Sequence, residues 1–187
     1  MPFAPPSPRM QKWSLASTEV VGNYRVFDVL RHDVVDADQR PRKDVYCFAC
    51  PDWCNVVALT EEDELVLIWQ YRFGTDALSL EIPGGVIEPG ESPIDAAKRE
   101  LREETGYEAA SFEHLMTVDP NPALQGNRCH TFLARGARLA GSTAFDELEE
   151  CELALIPSMH AADLLDGGHI THSLAIMALE RFLRRSR

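Results

Sequence analysis

The chain moves between two regimes of apolar spacing. From Thr18 to Val35 the run TEVVGNYRVFDVLRHDVV is rich in Val, Tyr and Phe, and after the polar stretch DADQRPRKD the β-rich character resumes as VYCFACP. This predicts a small antiparallel unit. A second series opens at Asn55 with NVVALT, turns through EEDE and continues as LVLIWQYR, whose nearly continuous apolar character predicts a strand covered on both faces. Sheet therefore dominates the first half of the chain. Residues 1–12 are proline-rich, show no periodic apolar pattern and read as disordered.

Helical spacing appears twice. Ser92 can serve as N-cap, Pro93 suits the first helical position, Asp95 closes a capping-box-like pattern, and Gly106 supplies the exit. Ile94, Ala97 and Leu101 then share one stripe, which predicts a face packed on a sheet. Near the end, SLAIMALERFL from Ser173 to Leu183 is apolar around much of its circumference and is followed by Arg184 and Arg185, where the helix dipole favours cations. That segment predicts a helix lying as a cover on the sheet.

Charge narrows the classes of function. Eighteen Lys and Arg against thirty Asp and Glu leave a formal charge of -12, so the surface as a whole repels nucleic-acid backbones and anionic lipid. No apolar run approaches the roughly 20 residues needed to cross a bilayer, and the proline-rich start lacks the uninterrupted hydrophobic stretch of a signal peptide. The expectation is a cytoplasmic protein with neither nucleic acid nor membrane as partner. Cys47, Cys50 and Cys54 have a spacing compatible with zinc, but no second Cys or His pair at finger spacing follows. Val45 to Cys50 reads instead as a strand in which Cys is a small apolar residue, and five cysteines, an odd number, disfavour a paired disulfide framework.

The chemistry concentrates on the first helix. Glu100, Glu103 and Glu104 fall within an arc of about 100° on the helical wheel. By themselves they describe a solvated acidic face partly balanced by Arg99 and Arg102. The loop before the helix, GGVIEPGE, changes that picture, because Gly84, Gly85 and Gly90 let backbone groups approach a ligand unobstructed. An oxygen-rich site of this kind suits a hard divalent cation such as Mg²⁺, commonly bound through a few carboxylates and substrate phosphates.

The segment from Gly85 to Tyr107, GVIEPGESPIDAAKRELREETGY, resembles the Nudix box, G-x5-E-x7-R-E-U-x-E-E-x-G-U with U a bulky aliphatic residue. Gly85, Glu91, Arg99, Glu100, Glu103, Glu104 and Gly106 stand at its fixed positions and Leu101 at the first U, and only Tyr107 departs, being aromatic. The resemblance implies an α/β fold, the Nudix α/β/α sandwich with a mixed sheet, here with an N-terminal antiparallel β extension. It also implies magnesium or manganese held by Glu100, Glu103 and Glu104 with the carbonyl of Gly84, and an ion pair between Glu91 and Arg99 that holds loop against helix. Bound cations would reverse the local sign for an anionic diphosphate, generate hydroxide and stabilise the leaving phosphate.

Flanking residues resemble those of ADP-ribose and related nucleoside-diphosphate-sugar pyrophosphatases. A Q-x-R element and an E-L/I-P-A/G-G element flank the site there, represented here by Gln70, Arg72 and Glu81, and a proline about fifteen residues past the box corresponds to Pro122. Diadenosine polyphosphate hydrolases would show a tyrosine where this chain has Ala123, Leu124 and Gln125. The resemblance implies that residues 13–51 form a β segment exchanged between the protomers of a homodimer, that residues 52–187 form the catalytic domain, and that Tyr24 donates an aromatic to the base. Arg72 would clamp the diphosphate through its planar fork. An acidic loop, FDELEECEL, would supply the base, with Glu149 favoured over Glu147 and Glu149 also a metal ligand; Glu104 joins them among the catalytic residues.

The expected reaction is metal-dependent hydrolysis of a nucleoside-diphosphate sugar such as ADP-ribose or GDP-mannose to a nucleoside monophosphate and a sugar 1-phosphate. Alternatives are a Nudix pyrophosphatase of dinucleotides or nucleoside triphosphates, and a noncatalytic nucleotide-sugar sensor.

Overall fold

The computed structural model describes residues 3–144 and 150–185, and the chain divides into two compact units. One takes the chain up to Cys50 together with Asn121–Gly126; the other takes Pro51–Pro120 and the chain from Asn127 onward.

In the first unit, β1 (Ser14–Asn23), β2 (Asp28–Val35) and β3 (Val45–Ala49) form an antiparallel sheet in that order. The β-rich run from Thr18 to Val35 is therefore two strands. They are parted at Tyr24–Phe27, where the Tyr24 N–H donates to the Phe27 carbonyl at 3.0 Å. Past β2, the Asp36 carboxylate accepts from the Asp38 and Arg40 N–H groups at 2.9 and 3.0 Å, a side-chain-closed turn that explains the polar stretch. Residues 3–13 carry no regular element.

The second unit contains β4 (Trp53–Thr60), β5 (Glu64–Arg72), β6 (Ala77–Glu81), β7 (Gly84–Val86), α1 (Pro93–Thr105), β8 (Tyr107–Val118), β9 (Cys129–Leu139), β10 (Cys151–Pro157), α2 (Ala161–Asp166) and α3 (Ser173–Arg185). The sheet runs β10-β5-β4-β9-β8, with β6 also paired to β5 and β7 to β4. It is mixed, since β4 and β9 are parallel while the other pairings are antiparallel.

Alternation along β4 places its side chains in two layers. Val56 and Ala58 pack with Ala96, Ala97 and Leu101 of α1, whereas Val57 and Leu59 pack with Ala175, Ala178, Leu179 and Phe182 of α3. Both faces of the strand are covered, which accounts for its unbroken apolar run and gives the α/β/α sandwich expected from the sequence. β5 is equally buried from Leu65 to Ile68, but Trp69 and Tyr71 beyond it are exposed. The cover helix at the chain's end is α3.

The punctuation of α1 is as anticipated. Ser92 Oγ accepts from the Asp95 N–H, Pro93 opens the helix, and Gly106 closes it in the left-handed region at φ 75°, its N–H donating to the Arg102 carbonyl. A Cβ on Gly106 would run into the Gly141 carbonyl oxygen. Leu101, wholly buried, fixes the helix on the sheet. Leu101→Ala is expected to lower unfolding free energy by about 2–5 kcal/mol, read from the urea midpoint, because the packed layer cannot collapse to fill the void.

Candidate active site

Two glycines decide how closely loop, strand and helix approach. A Cβ on Gly84 would strike the Cys54 carbonyl oxygen and come within 2.7 Å of Asn55 Cα on β4, where β7 pairs with that strand. A Cβ on Gly85 would occupy the space taken by the Glu100 carboxylate. The glycine pair thus clears space for β4 and for an acidic side chain of α1.

Glu100 is 9% exposed and Glu104 4%, so two of the three clustered carboxylates are buried, while the Glu103 side chain stands 41% exposed. The Gly84 N–H donates to Glu104 Oε2 at 2.8 Å, and Cys151 Sγ of β10 lies 4.0 Å from Glu104 Oε1. Arg99 ties the group together. Its Nε and Nη2 donate to the two oxygens of Glu91 at 3.0 Å each, and Nη2 also reaches the Val86 carbonyl at 2.9 Å. Nη1 donates to Glu100 Oε1 at 2.8 Å and to Glu103 Oε2 at 2.9 Å. The Glu91–Arg99 pair implied by the resemblance is present as a two-pronged bond, and the Arg99 fork holds the Glu91 carboxyl below the usual glutamate range.

These residues fit a hard divalent ion. The donors are all carboxylate oxygen, the Gly85 cradle leaves room for one of them, and Glu100 and Glu103 already converge on a single positively charged nitrogen of Arg99. Among the described residues no three His, Cys, Asp or Glu side chains are drawn together in cation-holding geometry, and Arg99 bridges Glu100 and Glu103.

A second buried carboxylate organises the end of β5. Glu81, 2% exposed, accepts from Arg72 Nε at Oε1 and from Arg72 Nη2 at Oε2, each at 2.8 Å, and from His172 Nδ1 at Oε2 at 2.6 Å. Burial raises its pKa, but the bonds from Arg72 and His172 outweigh that effect and hold it far below the ordinary value. His172 was not singled out from the sequence. No local motif marks it, because its partner belongs to a distant strand.

The remaining candidates belong to the first unit or fall outside the described residues. Tyr24, in the first unit, is 59% exposed and packs its ring on Phe27 at 5.3 Å between centroids, with Phe27 in turn 5.0 Å from Phe48. Pro122 is exposed on the Asn121–Gly126 segment of that unit. Glu147 and Glu149 lie outside the described residues.

Depressed carboxylates make the fold acid-sensitive. Glu81 and Glu91 have folded pKa values below the ordinary 4.5, so their stabilisation is complete above that pH and is lost as pH falls through the folded values. Urea midpoints are expected to fall progressively below about pH 4.5, and Glu81→Gln to flatten that acid limb. An unchanged acid slope in the variant would contradict the assignment.

The NUDIX domain pattern matches residues 53–174. Over 127 residues the chain is 34% identical to the CMP-5'-(N-acetyl-N-hydroxy-3-aminopropyl)phosphonate hydrolase of Streptomyces rubellomurinus (strain ATCC 31215), covering 67% of this chain and 61% of that protein. Over 175 residues it is 29% identical to the ADP compounds hydrolase NudE of Escherichia coli (strain K12), covering 92% of both. A crystal structure of an ADP compounds hydrolase is similar at a TM-score of 0.83 and 26% identity, covering 95% of this chain and 96% of that one. With the pattern spanning most of its length and the box residues gathered between loop and helix, the chain belongs to the Nudix family.

Proposed function

We propose that this protein hydrolyses the diphosphate bond of a nucleoside-diphosphate sugar, ADP-ribose, GDP-mannose or a similar compound, to a nucleoside monophosphate and a sugar phosphate. The observation that carries the reading is the placement of Glu100, Glu103 and Glu104 on α1 beside the Gly84–Gly85 turn, with Glu104 bonded to the Gly84 N–H and Glu100 lying where a Cβ on Gly85 would stand. Similarity over 92% of both chains to an enzyme named for ADP compounds supports the substrate class.

Nudix hydrolases generally use a divalent metal. Glu100, Glu103 and Glu104, with the Gly84 carbonyl and Glu149, would hold Mg²⁺ or Mn²⁺, which when bound supplies Lewis acidity and an acidified water. Arg99, fixed by Glu91, keeps the loop against the helix that presents these carboxylates. The free edge of Arg72 binds diphosphate oxygens, with Glu81 behind it setting the plane of the fork. The attacking water gives its proton to Glu149, or to Glu147, as its oxygen bonds to one phosphorus; the bridging P–O bond breaks and the second phosphate departs. Tyr24 stacks on the base and Pro122 borders the substrate.

The reading extends to a cytoplasmic homodimer. Leu15, Val20 and Val21 on β1 are 59%, 57% and 46% exposed and offer apolar surface for a second chain to cover. Among the described residues no helix is long and apolar enough to cross a membrane.

A panel of sugar nucleotides, dinucleotides and nucleoside triphosphates under Mg²⁺, with products identified by mass, tests the substrate class. Nucleotide sugars are expected to turn over fastest, and intact ligand throughout would contradict hydrolysis. Glu104→Gln, which keeps an acceptor for the Gly84 N–H, is expected to lower kcat by about 10² or more at unchanged thermal stability. A rate near that of the parent would remove Glu104 from the mechanism.

A further inference from the structure

We propose that His172 is a positioning residue of the substrate site, acting on Arg72 through the carboxylate they share, Glu81. The proposal rests on the reading of Arg72 as the diphosphate clamp.

Glu81 is 2% exposed, so its two oxygens need donors from the protein. Arg72 supplies one to each oxygen, and His172 Nδ1 adds a third bond at Oε2, at 2.6 Å. An ionised carboxylate only accepts, so Nδ1 must carry its hydrogen, as it does in the imidazolium and in one neutral tautomer. The contact therefore survives protonation of the ring.

Each partner comes from a different element. Arg72 ends β5, Glu81 ends β6 just before the glycine turn, and His172 immediately precedes α3, its carbonyl accepting the Ile176 N–H at 3.0 Å. Ile170 and Leu174 on either side of His172 are buried at 2% and 7% exposure, so the backbone that delivers the ring is anchored in the core. The Arg72 side chain, by contrast, is 42% exposed. Among the described residues no bond engages its Nη1, which leaves one edge of the guanidinium available to an anion. An arginine fork binds two phosphate oxygens well only when its plane is preset. Glu81 presets it, and His172 stops the carboxylate from turning about its own axis.

This role predicts an effect on ligand affinity that is transmitted only through Arg72. Wild-type chain, H172F, H172N, R72A and the R72A/H172F double variant are compared with ADP-ribose and Mg²⁺ for KM and kcat. Calorimetric Kd is measured for the same set on the Glu104→Gln background, and thermal unfolding of each variant is recorded. H172F, which keeps a planar ring without the N–H, is expected to raise KM and Kd roughly tenfold with kcat within about threefold. H172N, whose amide nitrogen is bonded to Cγ and so stands where Nδ1 does, is expected to recover most of that loss. R72A raises KM and Kd by itself, and adding H172F to it costs nothing further. If H172F does not fold, H172L, which has no N–H to donate, takes its place.

Parental Kd in H172F, the same factor lost again in the double variant, or parental Kd in R72A would each overturn the proposal. Failure of the functional reading looks different: no compound is cleaved by the wild-type chain, whatever the Kd series shows.

Discussion

A carboxylate packed against a sheet is costly to bury unless N–H groups or positive charge meet it. Glu100 and Glu104 are in that position on α1, within one helical turn of each other and of Glu103. The charge is met partly by the Gly84 N–H and largely by Arg99, which spends its guanidinium on Glu91, Glu100, Glu103 and the Val86 carbonyl. That neutralisation is also what joins the loop to the helix. Without it, three like charges would sit on one face of α1 with the glycine turn unanchored beside them.

The same solution recurs at the end of β5. Glu81 is nearly inaccessible, and the groups that compensate it, Arg72 and His172, are the more exposed members of the cluster. In both places a partly exposed arginine makes a two-pronged bond to an acid, the half-buried Glu91 in one and the buried Glu81 in the other. One pair locks the backbone around the acidic cluster; the other aims a cation outward. The sheet makes this possible by packing α1 on one face and α3 on the other, so that residues from β5, β6 and the start of α3 meet around one carboxylate.

Legibility from sequence followed the range of the interaction. The limits of α1 were readable because Ser92, Pro93 and Gly106 act on their own backbone neighbours, and the stripe of Ala97 and Leu101 follows from helical geometry. The β4–β5 hairpin was readable for similar local reasons. The break between β1 and β2 was less so, since Tyr24 to Phe27 carries Val and Phe through the turn and masks it. Gly84 and Gly85 were identified as necessary, yet the groups that require them are the β4 backbone and the Glu100 carboxylate. His172 was invisible because nothing near it in the chain announces Glu81. Its role is a product of tertiary structure alone.

The central claim is that the acidic cluster on α1 accepts an anionic diphosphate only when divalent cations neutralise it. The most direct measurement is the rate of ADP-ribose hydrolysis by the full chain after exhaustive chelation, followed by return of Mg²⁺. The account predicts that hydrolysis falls to background and recovers fully when the ion is restored. Undiminished hydrolysis in the chelated sample would contradict it.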